Sequence, residues 1–127
     1  MINVDVINEC TNKKLSFPEV IQHLSQIGIE RYYTDLIKME KTYYSHNGES
    51  YVEHISIDNL PTLANNFDEV TVIESIHASQ KGQIDYHTFI RNIIAAGTVC
   101  YTVYIDGKQV VYVGRKGESH TENFHFT

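Results

Sequence analysis

Slid against itself by 69 positions, the chain aligns residues 15–54 with residues 84–123 without a gap. Gly28 falls on Gly97, Tyr32 on Tyr101, Tyr43 on Tyr112, Gly48-Glu49-Ser50 on Gly117-Glu118-Ser119, and Glu53 on Glu122. At ordinary residue frequencies of roughly 5–7% each, chance supplies about two or three identities over such a stretch. The local signals coincide too, helical periodicity on helical periodicity and alternation on alternation. The expectation is one unit built twice, with repeat 1 over about 1–57, repeat 2 over about 67–127 and a connector over about 58–66. Each half alone would have a thin core, so the whole chain of 127 residues reads as a single domain with a pseudo-twofold axis.

Within the first copy, Ser16-Phe17-Pro18-Glu19 is a capping box with proline in the first helical turn. Phe17, Val20, Ile21, Leu24 and Ile27 then form one helical stripe, ended by Gly28. In the second copy Asp85 is the cap, and Tyr86, Phe89, Ile90 and Ile93 repeat the stripe up to Gly97. An earlier helix is expected in each half, marked by Val4, Ile7 and Cys10 and by Val70, Ile73 and Ile76.

After each of the two glycines the period changes to two. Asp106-Gly107 predicts a type I′ hairpin that pairs Val103 with Val110, Thr102 with Val111 and Tyr101 with Tyr112. At the matching place Ile37-Lys38 resists positive φ, which predicts a longer or differently shaped loop. Two-residue turns at Asn47-Gly48 and Lys116-Gly117 would set His46 beside Glu49 and Arg115 beside Glu118. Each copy thus reads as helix, helix and three-stranded meander, which makes an α+β fold of about four helices and six strands.

The formal charge of -6 argues against nucleic acid as a partner, since counterion release needs clustered Lys and Arg. No apolar run approaches the ~20 residues of a membrane helix, and the N-terminus lacks the basic and apolar regions of a secretion signal. Cys10 and Cys100 lie far apart in no CxxC pattern, so a reduced, cytoplasmic protein is expected, as monomer or homodimer.

The chain resembles the YdfO/YbcV-like family of small bacterial, often prophage-carried proteins, commonly labelled phage envelope proteins. The resemblance spans nearly the whole chain. It rests on Ser16-Phe17-Pro18-Glu19-Val20, Gly28-Ile29-Glu30-Arg31-Tyr32 with Asp35, and Thr42-Tyr43-Tyr44 with Gly48-Glu49. In the second half it rests on Ala96-Gly97, Tyr101, and Tyr112-Val113-Gly114-Arg115 with Gly117-Glu118, His120, Glu122 and Phe124. It implies a duplicated α+β fold, and no activity or catalytic residue comes with it.

No catalytic motif stands out. Ser50 and Ser119 lie in no nucleophile elbow, and Ser119 and His120 would point to opposite faces of a strand. His120 and His125, five apart in one expected strand, would also face apart, and no HExxH or Cys/His cluster occurs, so neither metal nor cofactor is expected. The aromatic signal is stronger, with Tyr32-Tyr33, Tyr43-Tyr44, Tyr51, Tyr101, Tyr104 and Tyr112 all on expected strands. If the second-copy register holds in the first, Arg31, Tyr33 and Asp35 share a polar, aromatic face with Tyr44, Thr42 and Glu40, and Asp35 opposite Glu40 would either repel it or hold something cationic with it.

The candidate binding residues are therefore Arg31, Tyr33, Tyr44, Glu49, Arg115, Glu118 and His120. The leading expectation is a non-enzymatic binding module that uses a Tyr-rich sheet face or the cleft between repeats to recognise a protein or small polar ligand. The alternative is a small acid–base enzyme using Glu49 or Glu118 with Arg31, Arg115 or His120. Glu49 and Glu118 stand out because a turn needs its glycine but not the acid after it.

Overall fold

A computed structural model describes residues 1–125. Its elements run α1 (Val4–Asn12), α2 (Phe17–Gln26), β1 (Ile29–Asp35), β2 (Glu40–Ser45), β3 (Ser50–His54), α3 (Glu69–Gln80), α4 (Tyr86–Ala95), β4 (Thr98–Tyr104), β5 (Gln109–Gly114) and β6 (Ser119–Asn123). The strands form one six-stranded antiparallel sheet in the order β3-β2-β1-β4-β5-β6. The fold is α+β.

Local chemistry explains the helix ends. Ser16 Oγ accepts from Glu19 N–H while Glu19 reaches back to Ser16 N–H, and Pro18 lies in the first turn. Asp85 accepts from Thr88 N–H at 2.8 Å and Asp68 from Thr71 N–H at 3.2 Å. In α3 the buried residues are Val72, Ser75 and Ile76, and Val70, expected on the apolar stripe, is exposed. The helix begins at Glu69, and Val70 lies on the side of its first turn opposite the buried Val72.

The joining ladder pairs β1 with β4, and at its centre Tyr33 lies opposite Thr102, its counterpart 69 positions on. Loop bonds echo the same spacing, Leu36 N–H to Val99 O and Ile105 N–H to Glu30 O, both 2.9 Å. The helices reach across this seam. Phe17 of α2 meets Phe124 beyond β6 edge-on, and Tyr86 of α4 lies 4.5 Å below the Lys41 ammonium of β2. Buried side chains of both halves consequently form one cluster, with Ile7, Ile29, Val72, Ile90 and Ile93 at its centre.

The pairings of Val103 with Val110, Thr102 with Val111 and Tyr101 with Tyr112 occur as expected, and Tyr32 faces Tyr43 in the first half. The turns differ from expectation. Leu36–Met39 and Ile105–Lys108 are loops of equal length, each with positive φ at its last residue, Met39 (55°) and Lys108 (55°). Asp106-Gly107 is therefore not a type I′ turn, and Ile37 sits where no positive φ is needed. Asp35 shapes the first loop by accepting from Ile37 and Lys38 N–H.

The other two turns have three residues, not two. Ser45 N–H bonds to Glu49 O and Gly114 N–H to Glu118 O, with Gly48 and Gly117 at φ 86° and 84°. Glu49 thus faces Ser45 rather than His46, and Glu118 faces Gly114 rather than Arg115. The final strand stops at Asn123, which leaves His125 outside it.

Register shifts between Ile29 and Arg31 and between Thr98 and Cys100 turn Ile29 and Thr98 into the core. Thr98 is fully buried, and its hydroxyl has no hydrogen-bond partner among the described residues. Thr98→Val keeps the shape and removes the stranded hydroxyl, so we expect it to stabilise the fold by about 1 kcal/mol in urea unfolding.

Candidate functional site

Strand alternation sorts the side chains to two faces. Tyr32, Tyr43, Tyr101 and Tyr112 face the helices and are buried, and desolvation holds each phenol well above its ordinary range. Tyr43 donates to Glu53 Oε1 at 2.8 Å, and Glu53 Oε2 accepts from Thr11 of α1 at 2.7 Å. These tyrosines are core.

The opposite face is open. Across its centre run Tyr44, Arg31 and Tyr104, and beside them Thr42, Tyr33 and Thr102. The Arg31 guanidinium lies 4.3 Å from the centre of the Tyr44 ring and pairs with Glu30. Burial and the neighbouring Cys100 thiol push the Tyr33 phenol up to about 12. This surface offers aromatic planes, hydroxyls and a cation held over the Tyr44 ring. Arg31, Tyr33 and Tyr44 are thus brought together as the alternation predicts. Tyr104 and Thr102 join them only because β4 pairs with β1, an arrangement that no local pattern encodes.

Asp35 and Glu40 are register partners. Asp35 is engaged by its own loop, however, and Glu40 lies 3.9 Å from His54. No paired-carboxylate site results from them.

The remaining candidates lie elsewhere. Glu118 stands at one turn, where N–H groups of Glu118 itself, Lys116 and Phe67 hold its carboxyl below the ordinary range. Arg115 Nε and Nη2 donate to the carbonyls of Ala64 and Leu63 at 3.3 and 3.4 Å. The two side chains therefore bind the connector from one turn. Glu49, at the matching turn, meets the Met1 ammonium at 3.1 Å.

His120 is on the helix-covered face, its side chain 15% exposed, with Nε2 2.9 Å from Glu122 and Nδ1 3.3 Å from Glu69. Glu122 also lies 3.8 Å from His77. His120 therefore clasps α3 to the edge strand β6.

One further cluster links the halves. His46 Nε2 is 2.7 Å from Asp106 Oδ2, and Glu30 brings a third ligand atom so that all lie within 4.8 Å of one another. These are the described residues best placed to hold a metal. Sequence spacing hid them, because they come from β1, a turn and a loop of the other half. The Asp106 carboxylate raises the His46 pKa.

The charged groups give a defined pH dependence. Asp68, Asp85, Glu19 and Glu118 have lowered pKa values, through hydrogen bonds from Thr71, Thr88, Ser16 and backbone N–H groups respectively. Their contribution to stability is present above the ordinary carboxylate range near 3.8–4.5 and is lost as pH falls through the lowered values. His46 has a raised pKa, so its contribution is complete below 6.5 and is lost as pH rises through the raised value. Thermal melts from pH 2 to 9 should accordingly be highest between about pH 4.5 and 6.5, and His46→Ala should remove the alkaline-side decline.

The family model described as "Protein of unknown function (DUF1398)" matches residues 5–123. The chain belongs to the DUF1398 family. The match takes in every helix and strand except the first residue of α1. No curated protein matches the chain. Membership in DUF1398 carries the fold region with it and leaves the function to be argued from the surface. Among the described residues no helix is long and apolar enough to cross a membrane, and Cys10 and Cys100 are free thiols.

Proposed function

We propose that this DUF1398 chain is a binding module whose open sheet face recognises a protein partner or a small polar ligand. The observation that carries this reading is the row Tyr44, Arg31 and Tyr104, in which the guanidinium lies over the Tyr44 ring and Tyr104 is its register partner on the other side, on a sheet face that the helices leave open. Tyr and Arg supply large contact area and directed hydrogen bonds at little cost in conformational entropy, which suits recognition better than catalysis. The acid–base alternative has no comparable support, since Glu49, Arg31 and His120 sit at separate places, and Glu118 and Arg115, though at one turn, are both engaged with the connector.

On this reading the chain is one domain built from a duplicated unit, and the 69-residue spacing shared by its turns and strand ladders supports that origin. The motifs at Ser16–Val20, Gly28–Tyr32 and Tyr112–Arg115 support a place among the YdfO/YbcV-like members. The absence of a CxxC pattern supports a reducing, cytoplasmic setting.

Affinity capture and a ligand thermal-shift screen on wild type and on Arg31→Ala/Tyr33→Ala test the proposal. Each of these positions is only half-buried on the open face, so the melting temperature should fall by no more than a few degrees. A ligand or partner bound by wild type should be lost at least ~30-fold, as expected for removal of a Tyr–Arg hot spot worth about 2 kcal/mol. Equal binding by wild type and the double variant would remove the sheet face from consideration.

A further inference from the structure

The two Gly-Glu-Ser turns stand at corresponding places but have different occupants. At the second turn the connector lies across the surface as a strap that bends at Asn65 and Asn66. Asp68 N–H donates to Ala96 O at 2.7 Å, Phe67 N–H is held by the Glu118 carboxylate, and Lys116 Nζ donates to Asn66 Oδ1 at 2.8 Å. The strap fits because two glycines make room. A Cβ on Gly97 would stand 2.3 Å from Asn66 O, and one on Gly114 would stand 2.8 Å from Phe67 Cβ.

Stepping back 69 positions turns Ala96, Gly97, Gly114, Arg115, Lys116 and Glu118 into Ile27, Gly28, Ser45, His46, Asn47 and Glu49. All six line a single cavity of about 150 Å³ at the first turn. Gly28 keeps the left-handed backbone of Gly97 (φ 84° against 96°), and a Cβ placed on it would meet only His46, at 4.0 Å. Met1 and Ile2 complete the lining, and the Met1 ammonium touches Glu49 where a peptide N–H meets Glu118 at the other turn.

We infer that the cavity between Gly28 and Glu49 is a peptide-binding notch, which takes a strand-free segment of a partner protein as the second turn takes residues 63–68. Glu49 accepts the segment's N–H in place of the Met1 ammonium and Ile27 O accepts the next one, while the cleared backbone at Gly28 admits its carbonyl. Ser45 carries a Cβ where Gly114 has none, so the segment has Gly, Ala or Ser at the place of Phe67. This site is on the rim of the sheet and does not rest on the open-face proposal. It also gives the repeated acid a common role, as a carboxylate at a turn that holds a passing backbone.

The test uses the full chain, labelled with ¹⁵N, and two synthetic octapeptides. One is residues 63–70 with Ala in place of Phe67, and the other is the native Leu-Ala-Asn-Asn-Phe-Asp-Glu-Val. The Ala peptide should shift the amides of Gly28, Asn47 and Glu49 in a saturable way at millimolar concentration. Glu49→Gln should weaken that binding about tenfold, the loss expected of one charge-assisted hydrogen bond, at an unchanged melting temperature.

Ser45→Gly should reverse the preference, so that the Phe peptide binds about tenfold more tightly than to wild type, as for a newly admitted apolar group. The inference is overturned if neither peptide shifts these amides up to 5–10-fold the millimolar range typical of weak sites. It is equally overturned if shifts occur at Gly97 and Gly117 instead, or if Ser45→Gly leaves the preference unchanged.

Discussion

Gly97→Ala should destabilise the protein by roughly 3–5 kcal/mol, the range of the most damaging single substitutions. Two effects combine at this position. The backbone holds φ at 96°, where an L side chain costs about 1–2 kcal/mol. The new Cβ would also stand 2.3 Å from Asn66 O and 2.9 Å from its carbonyl carbon, both backbone atoms that a rotamer change does not move. Relief requires the strap to lift, which would break the Asp68 N–H bond to Ala96 O and disturb the Asp68 cap of α3. The melting temperature should fall by roughly 10–20 °C. Gly117→Ala is the internal control, because φ is 84° there but nothing lies within 4 Å of the added carbon. It should cost about 1–2 kcal/mol, the backbone part alone. Equal losses from the two variants in urea unfolding would show that the strap does not press on Gly97.

Ile7→Ala should cost about 2–5 kcal/mol, as for other large-to-small changes at fully enclosed sites. Ile7 is completely buried and is the one residue of α1 buried to that degree. The polar contacts of this helix lie near solvent, with Thr11 on Glu53 and Lys13 on Glu9, and its other apolar residues are only partly buried. Surface pairs of this kind contribute little by themselves. Removing the Ile7 side chain should therefore free the whole helix rather than leave a silent cavity. Hydrogen exchange should show α1 amides losing protection before those of β1 and β4. If α1 stays as protected as the central strands, its attachment rests on something other than Ile7.

Much of this molecule was legible beforehand. The capping box, the stripes of α2 and α4 and the Tyr101–Tyr112 pairing arise from short-range physics: caps within one turn, a helical period of 3.6 and a strand period of 2. The turns were less legible. Asp106-Gly107 suggested a type I′ turn, yet the sharp bend falls on Lys108, because the four-residue loop also has to bury Ile105. Ser45 and Gly114 fixed three-residue turns by pairing with Glu49 and Glu118, one position short of the partners a two-residue turn gives them.

The candidate site divides in the same way. Arg31, Tyr33 and Tyr44 followed from alternation and register, whereas Tyr104 and Thr102 depended on β4 choosing β1 as its neighbour. The Glu30, His46 and Asp106 cluster and the strap on Glu118 lay beyond any local pattern, since their partners are tens of residues apart.

By itself, the sequence determined the helix caps, the strand faces and the α+β class, since each of these is settled by neighbours a few positions away. Only the tertiary structure decided which halves share an edge, which helix crosses the seam and why an acid follows each turn glycine. Those outcomes depend on long-range packing, in which the connector occupies one turn while the Met1 ammonium meets the acid of the other.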